Sequence, residues 1–165
     1  MSISKSIRQQ AASVKLLVLD VDGVLTDGRL HFDAEGREQK VFHVRDGYGI
    51  KALQSSGVAV AVISGRSSVA VETRVAELGI RHFRLGQNDK SEALRHILDE
   101  LSIPMSAVAC IGDDTPDLEI MRSAGLGIAV ADAHPDVIAA ADWTTRLGGG
   151  AGAVREVCDL LMQFA

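Results

Sequence analysis

Three short apolar runs do most to limit what this chain can fold into: Val14–Leu19 (VKLLVL), Val58–Ile63 (VAVAVI) and Ala107–Ile111 (AVACI). They are nearly continuous rather than alternating, which is the pattern of parallel strands covered on both faces. Gly127–Val130 and a weaker stretch around Phe83 read as further strands, and Trp143–Thr145 as an edge. Between them, Ile50–Ser55, Ser67–Leu78, Glu92–Leu101 and Leu118–Ala124 read as helices, and a last long helix covers Val154–Met162. Pro104 ends one helix. Pro116 and Pro135 stand at first-turn positions, where a missing N–H leaves no hydrogen bond unmade. Strands alternating with helices imply an α/β fold on a doubly wound parallel sheet with right-handed crossovers.

One segment interrupts the alternation. Gly28–Val44 (GRLHFDAEGREQKVFHV) holds two strand-like pieces around a turn at Asp33–Gly36 and reads as a β-hairpin inserted after the first strand. A two-stranded hairpin alone is marginal in water. Leu30, Phe32, Val41, Phe42 and Val44 therefore need a covering surface, either the parent domain or another subunit. With no internal repeat, low-complexity tract or linker, residues 1–165 read as a single domain, with 28–44 as the hairpin and 148–165 as a glycine-rich tail and final helix.

Composition excludes several classes. Lys and Arg number 17 against 22 Asp and Glu, a net charge of -5, which argues against a nucleic-acid surface. No apolar stretch approaches the ~18 residues of a membrane span. Met1–Gln10 is polar and lacks the apolar segment of a secretory signal. Cys110 and Cys158 are the only cysteines and nothing demands that they pair, so the cytoplasm is the expected compartment.

Ligands of open α/β sheets sit beyond the carboxyl ends of the strands. There this chain carries Asp20-Val21-Asp22-Gly23 after the first strand, Ser64-Gly65-Arg66 after the second and Gly112-Asp113-Asp114 after a later one. Lys90 opens a helix nearby. Asp20, Asp22 and Asp113 brought together repel strongly unless a cation is present. Mg²⁺ suits them, because it binds through carboxylates, waters and substrate phosphate. Zinc does not, since the five histidines show no paired ligand spacing. One carboxylate can attack phosphorus and a second can serve the leaving oxygen and then water, a division open to Asp20 and Asp22. Ser64, the Gly65 N–H and Lys90 can offset charge on the phosphoryl oxygens. Taken singly, each of these residues also reads as a turn former, a cap or a solvated lysine.

The motifs D-V-D-G-V-L-T (Asp20–Thr26), I-S-G-R (Ile63–Arg66), Lys90 and G-D-D-T-P-D (Gly112–Asp117) resemble, in order and strand context, those of the haloacid dehalogenase-like phosphohydrolases. The resemblance implies that fold type, with Asp20 as nucleophile and Asp22 as general acid/base. Asp20, the backbone carbonyl of Asp22, and Asp113 would hold Mg²⁺, and Ser64, Gly65 and Lys90 would hold phosphate. Asp114 and Asp117 fall in a supporting role, orienting waters or Lys90. The short hairpin, the lack of a large cap and the tail from Gly148 to Cys158 are similar to the 3-deoxy-D-manno-octulosonate 8-phosphate phosphatase family. That resemblance implies four subunits assembled through their hairpins, and a product destined for lipopolysaccharide.

A phosphorylated sugar acid carries a carboxylate as well as a phosphate, so its site needs further cations. His43, Val44, Arg45, Asp46, Gly47, Lys51, Arg66 and Arg74 match the positions that line the sugar-acid pocket in the resembled family; Lys51 and Arg74 also read as an exposed helix face. The glycine run reads either as a flexible linker or as a strip closing over the pocket. Competing functions are a phosphatase for another sugar acid such as a nonulosonate 9-phosphate, a phosphoaccepting signalling domain, and an inactive oligomerisation module. Asp22 speaks against the signalling domain, because a long-lived phosphoaspartate needs no general acid. The complete motif set speaks against the inactive module.

Overall fold

The computed structural model describes residues 3–164. Its elements run α1 (Lys5–Ala12), β1 (Leu16–Leu19), β2 (His31–Phe32), β3 (Glu38–Gln39), α2 (Val44–Ser55), β4 (Ala59–Ile63), α3 (Val69–Glu77) and β5 (His82–Arg84). They continue with α4 (Lys90–Leu101), β6 (Val108–Gly112), α5 (Leu118–Ser123), β7 (Leu126–Ala129), α6 (Pro135–Ala140), β8 (Trp143–Thr144) and α7 (Ala153–Phe164). Six strands form one parallel sheet in the order β5-β4-β1-β6-β7-β8. The apolar runs became its central strands, and every residue of β1 and β6 is buried. Helices α1, α2 and α7 pack together as one group, and α4, α5 and α6 as another. The sheet is thus covered on both faces, as right-handed crossovers dictate.

The order also fixes where a ligand can go. From β1 the chain moves outward through β4 to β5, then returns to place β6 on the other flank of β1. The strand order reverses between β1 and β6, the place where open α/β sheets take their ligands beyond the strands' carboxyl ends.

Three expectations need correction. Helix α2 begins at Val44, well before Ile50, although Gly47 and Gly49 lie within it. Each such glycine costs about 1 kcal/mol relative to alanine in a helix interior. Close packing compensates: a Cβ at Gly49 would lie 3.2 Å from both Arg155 Cα and Cys158 Cβ, so the missing side chain lets α7 approach. Helix α1 was not anticipated, because only Ile7 and Ala11 mark its buried stripe; Ser4 Oγ caps it by accepting from the Ile7 N–H at 3.2 Å. The glycine run is no loose linker. Gly149 N–H donates to Asp132 Oδ1 at 2.9 Å and Gly150 N–H to the Val24 carbonyl at 3.0 Å. A Cβ at Gly149 would collide with the Gly23 carbonyl, so the tail lies against the turn that follows β1.

The hairpin is present but slight, with His31 opposite Gln39 and Phe32 opposite Glu38. Phe32 is 59% exposed, Val41 70% and Val44 82%, with Leu30 also open. Of the two coverings open to Phe42, the parent domain supplies it. Phe42 is half-buried against the chain's own core, with the Arg74 guanidinium 5.8 Å from its ring centre. Both cysteines are buried and free. No helix among the described residues is long and apolar enough to cross a membrane.

Candidate active site

Strand register assembles the site. Leu19 pairs with Val62 on β4 and with Ile111 on β6, so Asp20 follows at the level of Ile63 and Gly112. Ser64 and Asp113 come one residue later on the flanking strands, and three adjacent strands deliver Ser64, Asp20 and Asp113 to one edge. After Asp20 the chain turns sharply, with the Val21 carbonyl accepting from the N–H groups of Leu25 at 2.9 Å and Thr26 at 3.0 Å. Gly23 adopts φ +93°, and a Cβ there would collide with the Asp113 carboxylate. The turn therefore requires glycine twice over, for its dihedral and for the close approach.

Lys90, at the start of α4, ties the cluster together. Its ammonium donates to Asp20 Oδ1 at 2.8 Å and to Asp117 Oδ1 at 2.6 Å. Asp117 Oδ2 accepts from the Asp113 N–H at 3.1 Å and the Asp114 N–H at 3.4 Å. Both Asp117 oxygens are thus engaged in orienting Lys90 and the loop after β6. Asp114 is exposed and caps that loop by accepting from the Thr115 N–H at 2.7 Å. Ser64 is buried, its Oγ accepting from the Arg66 N–H at 3.3 Å, while Gly65 is open to solvent.

Oxygens of Asp20, Asp113 and Asp117 all lie within 4.8 Å of one another. Lys90 sets one positive charge against three carboxylates, and the shortfall shows in the protonation. Burial, then the charge of Asp117, pushes Asp20 up to about 6 against the opposing pull of Lys90. Burial, then Asp20 and Asp117, pushes Asp113 up to about 8. Against burial, which disfavours its charge, Asp20 and Asp117 hold the Lys90 ammonium above its ordinary range. A hard divalent cation fits this donor set: it takes oxygen ligands and would relieve the excess negative charge.

Asp22 faces another way. Its Oδ1 accepts from the Lys40 ammonium and its Oδ2 lies 3.7 Å from Arg66 Nε. Glu38 Oε1 stands 3.4 Å from Lys40 Nζ and 2.5 Å from Arg66 Nη2. Burial would raise the Glu38 carboxyl, but Lys40 and Arg66 outweigh it and hold it below the usual range. Lys40 and Glu38 were missed in the sequence. Their spacing of two places both on one face of the hairpin's second strand, which is the signal that could have found them.

The remaining sugar-pocket candidates lie just before and along α2, with Arg74 on α3. His43 caps that helix, Nδ1 accepting from the Arg45 N–H at 3.1 Å. Val44, Arg45 and Lys51 are exposed, and Arg74 pairs with Glu77 at 2.8 Å and crowds Gly47. Asp46 is only 2% exposed, and its Oδ1 accepts from the Arg155 N–H at 2.7 Å, so its observed work is to pin α2 to the start of α7. Among the described residues, no hydrogen bond or ion pair joins this group to Asp20, Asp22 or Lys90.

Comparison with known proteins fits the geometry. The family model for haloacid dehalogenase-like hydrolases matches residues 84–152, and the chain is a hydrolase of that class. It is 49% identical over 160 residues to the 3-deoxy-D-manno-octulosonate 8-phosphate phosphatase KdsC of Escherichia coli K12, covering 97% of this chain and 85% of that protein. The crystal structure of the Yersinia pestis phosphatase of the same name superposes with a TM-score of 0.97 at 46% identity, over 98% of this chain and 88% of that one. The Moraxella catarrhalis phosphatase, solved with magnesium, phosphate and a KDO molecule, gives 0.95 at 46% identity, over 98% and 93%. The chain belongs to the 3-deoxy-D-manno-octulosonate 8-phosphate phosphatase family.

Proposed function

We propose that this chain is a Mg²⁺-dependent phosphomonoesterase that hydrolyses 3-deoxy-D-manno-octulosonate 8-phosphate to the free sugar acid and phosphate, a step of lipopolysaccharide biosynthesis. The observation that carries the reading is the Asp20–Lys90–Asp117 bridge, set beside Asp113 and Ser64 where the strand order reverses. Asp20, the backbone carbonyl of Asp22, and Asp113 would hold Mg²⁺. When bound, the ion supplies positive charge that draws the phosphoryl oxygens to the nucleophile. Asp20 attacks phosphorus as the bond to the sugar oxygen breaks, and that oxygen takes a proton from Asp22. Water then attacks the aspartyl-phosphate and gives its proton to Asp22, which releases phosphate and restores Asp20. Ser64, the Gly65 N–H and Lys90 hold the transferring group.

Arg66 leaves Asp22 and Glu38 to meet the substrate. Residues 43–47 (His43, Val44, Arg45, Asp46, Gly47) with Lys51 and Arg74 serve the sugar-acid end. None of them bonds directly to Asp20, Asp22 or Lys90 within one chain, and a neighbouring subunit would complete the pocket. The exposed Leu30, Phe32 and Val41 suit the same assembly, a homotetramer built through the hairpins. Residues 1–165 act as one phosphatase domain in the cytoplasm, with no nucleic-acid or membrane partner.

A substrate panel at fixed Mg²⁺ tests the assignment. The eight-carbon sugar-acid phosphate is expected to exceed hexose phosphates, which lack the carboxylate, in kcat/KM by at least about tenfold, the value of one lost charge-assisted contact, and to be preferred over nine-carbon sugar-acid phosphates. Equal use of hexose phosphates would overturn it.

A further inference from the structure

Lys40 is the unusual residue of the hairpin. Its side chain is 2% exposed although it lies on a two-stranded, otherwise open insertion. A buried ammonium is tolerated only when paired and hydrogen-bonded. Here it is paired twice, with Asp22 and with Glu38, and Glu38 and Asp22 each also face Arg66. Two acids and two bases therefore alternate around a closed ring drawn from the turn after β1, the end of the hairpin and the loop after β4. The two oxygens of Asp22 face different cations. The two cations are not equivalent, because the Arg66 side chain is 48% exposed and free to turn toward a substrate, whereas Lys40 is enclosed.

We propose that Lys40 is a positioning residue for the reaction: it fixes the Asp22 carboxylate for proton transfer to and from the reacting oxygens, and Glu38 holds Lys40 in place. The proposal rests on the reading of Asp22 as general acid/base. The hairpin then has a second role besides offering an apolar surface. Its last residues form one wall of the catalytic centre, and Asp22 keeps its orientation when Arg66 moves to the substrate.

The test uses leaving groups. A sugar alkoxide needs a proton to depart, whereas p-nitrophenolate does not, so loss of a correctly placed acid harms the first far more than the second. With Mg²⁺-loaded protein, Lys40→Met is expected to lower kcat on the sugar-acid phosphate about 10- to 100-fold, a share of what a positioned acid contributes. KM should hold within about threefold, as should the rate of p-nitrophenolate release in the first turnover, the step in which that leaving group needs no proton from Asp22. Glu38→Gln should show the same selectivity with a smaller loss, and it keeps the test decisive where Lys40→Met fails to fold. Asp22→Asn is the control, expected to be selective in the same sense. Equal loss on both esters in the first turnover of Asp22→Asn would remove the acid/base reading itself. A selective Asp22→Asn beside an unselective Lys40→Met or Glu38→Gln would overturn the positioning proposal alone. A raised KM with kcat kept, which marks substrate binding, or a gain in turnover would also overturn it.

Discussion

The catalytic edge of the sheet and the hairpin beside it are both short, polar-tipped and close in sequence, yet different forces hold them. At the edge, Asp20, Ser64 and Asp113 leave three neighbouring strands whose register is locked by buried residues above and below. The hairpin has two pairs of residues in its ladder and leaves Phe32 and Val41 open. What places it is the charge ring at its end, where Lys40 and Glu38 meet Asp22 and Arg66. The reacting carboxylates thus stand on the rigid part, while the inserted part supplies the groups that hold Asp22 and a surface for assembly.

The comparison predicts unequal responses to substitution. Lys90→Met strikes the rigid edge, removing the partner of both Asp20 and Asp117. It should lower kcat/KM on every phosphate ester, p-nitrophenyl phosphate included, by at least about 100-fold. A loss confined to the sugar-acid phosphate would mean that Lys90 reads the sugar instead. Phe32→Asp strikes the hairpin and should dissociate the assembly, since an unpaired charge is costly to bury between subunits. Light scattering over a range of concentrations would show the mass fall, while the melting temperature of the separated chain changes little, as for other exposed positions. A wild-type protein that is monomeric throughout would break the comparison.

A smaller effect concerns pH. Asp20 and Asp113 titrate in the folded protein at about 6 and about 8, both raised from 3.8. The native state therefore keeps protons that the unfolded chain has already lost, and stability falls with rising pH wherever that holds. The contribution of these two groups is fully present below about pH 4 and drains away as pH rises through 6 and 8. Mg²⁺ favours the ionised carboxylates, so its addition should raise the melting temperature by a few degrees more at pH 8 than at pH 5. An equal shift at both pH values, followed by calorimetry, would place the ion elsewhere.

Much of the rigid part was legible in the sequence, because strands buried on both faces must be continuously apolar, and polar groups that follow such runs must gather at one edge. The elements set by packing at a distance were less legible. Gly47 and Gly49 hide the first turns of α2, whose helical form depends on α7, more than one hundred residues away. Which surface covers Phe42 is not legible in the sequence, and only the fold sets it against the core and Arg74. That the backbone of α7 holds one oxygen of the Asp46 carboxylate is likewise seen only in the fold. Lys40 and Glu38 look like ordinary edge-strand charges, because nothing local records where the hairpin folds back. The family resemblance implied Asp117 as a group orienting waters or Lys90, and the fold makes Lys90 its partner where α4 meets the loop after β6.

The central claim is that catalysis runs through a covalent bond to Asp20, with Asp22 handling the proton. Rapid acid quench of Asp22→Asn mixed with radiolabelled substrate and Mg²⁺ tests it most directly. The account predicts a protein-bound, hydroxylamine-labile phosphate in this variant and none in Asp20→Asn, which should also lose turnover while keeping its fold. Labelled phosphoenzyme in Asp20→Asn, or near-normal turnover by that variant, would contradict it.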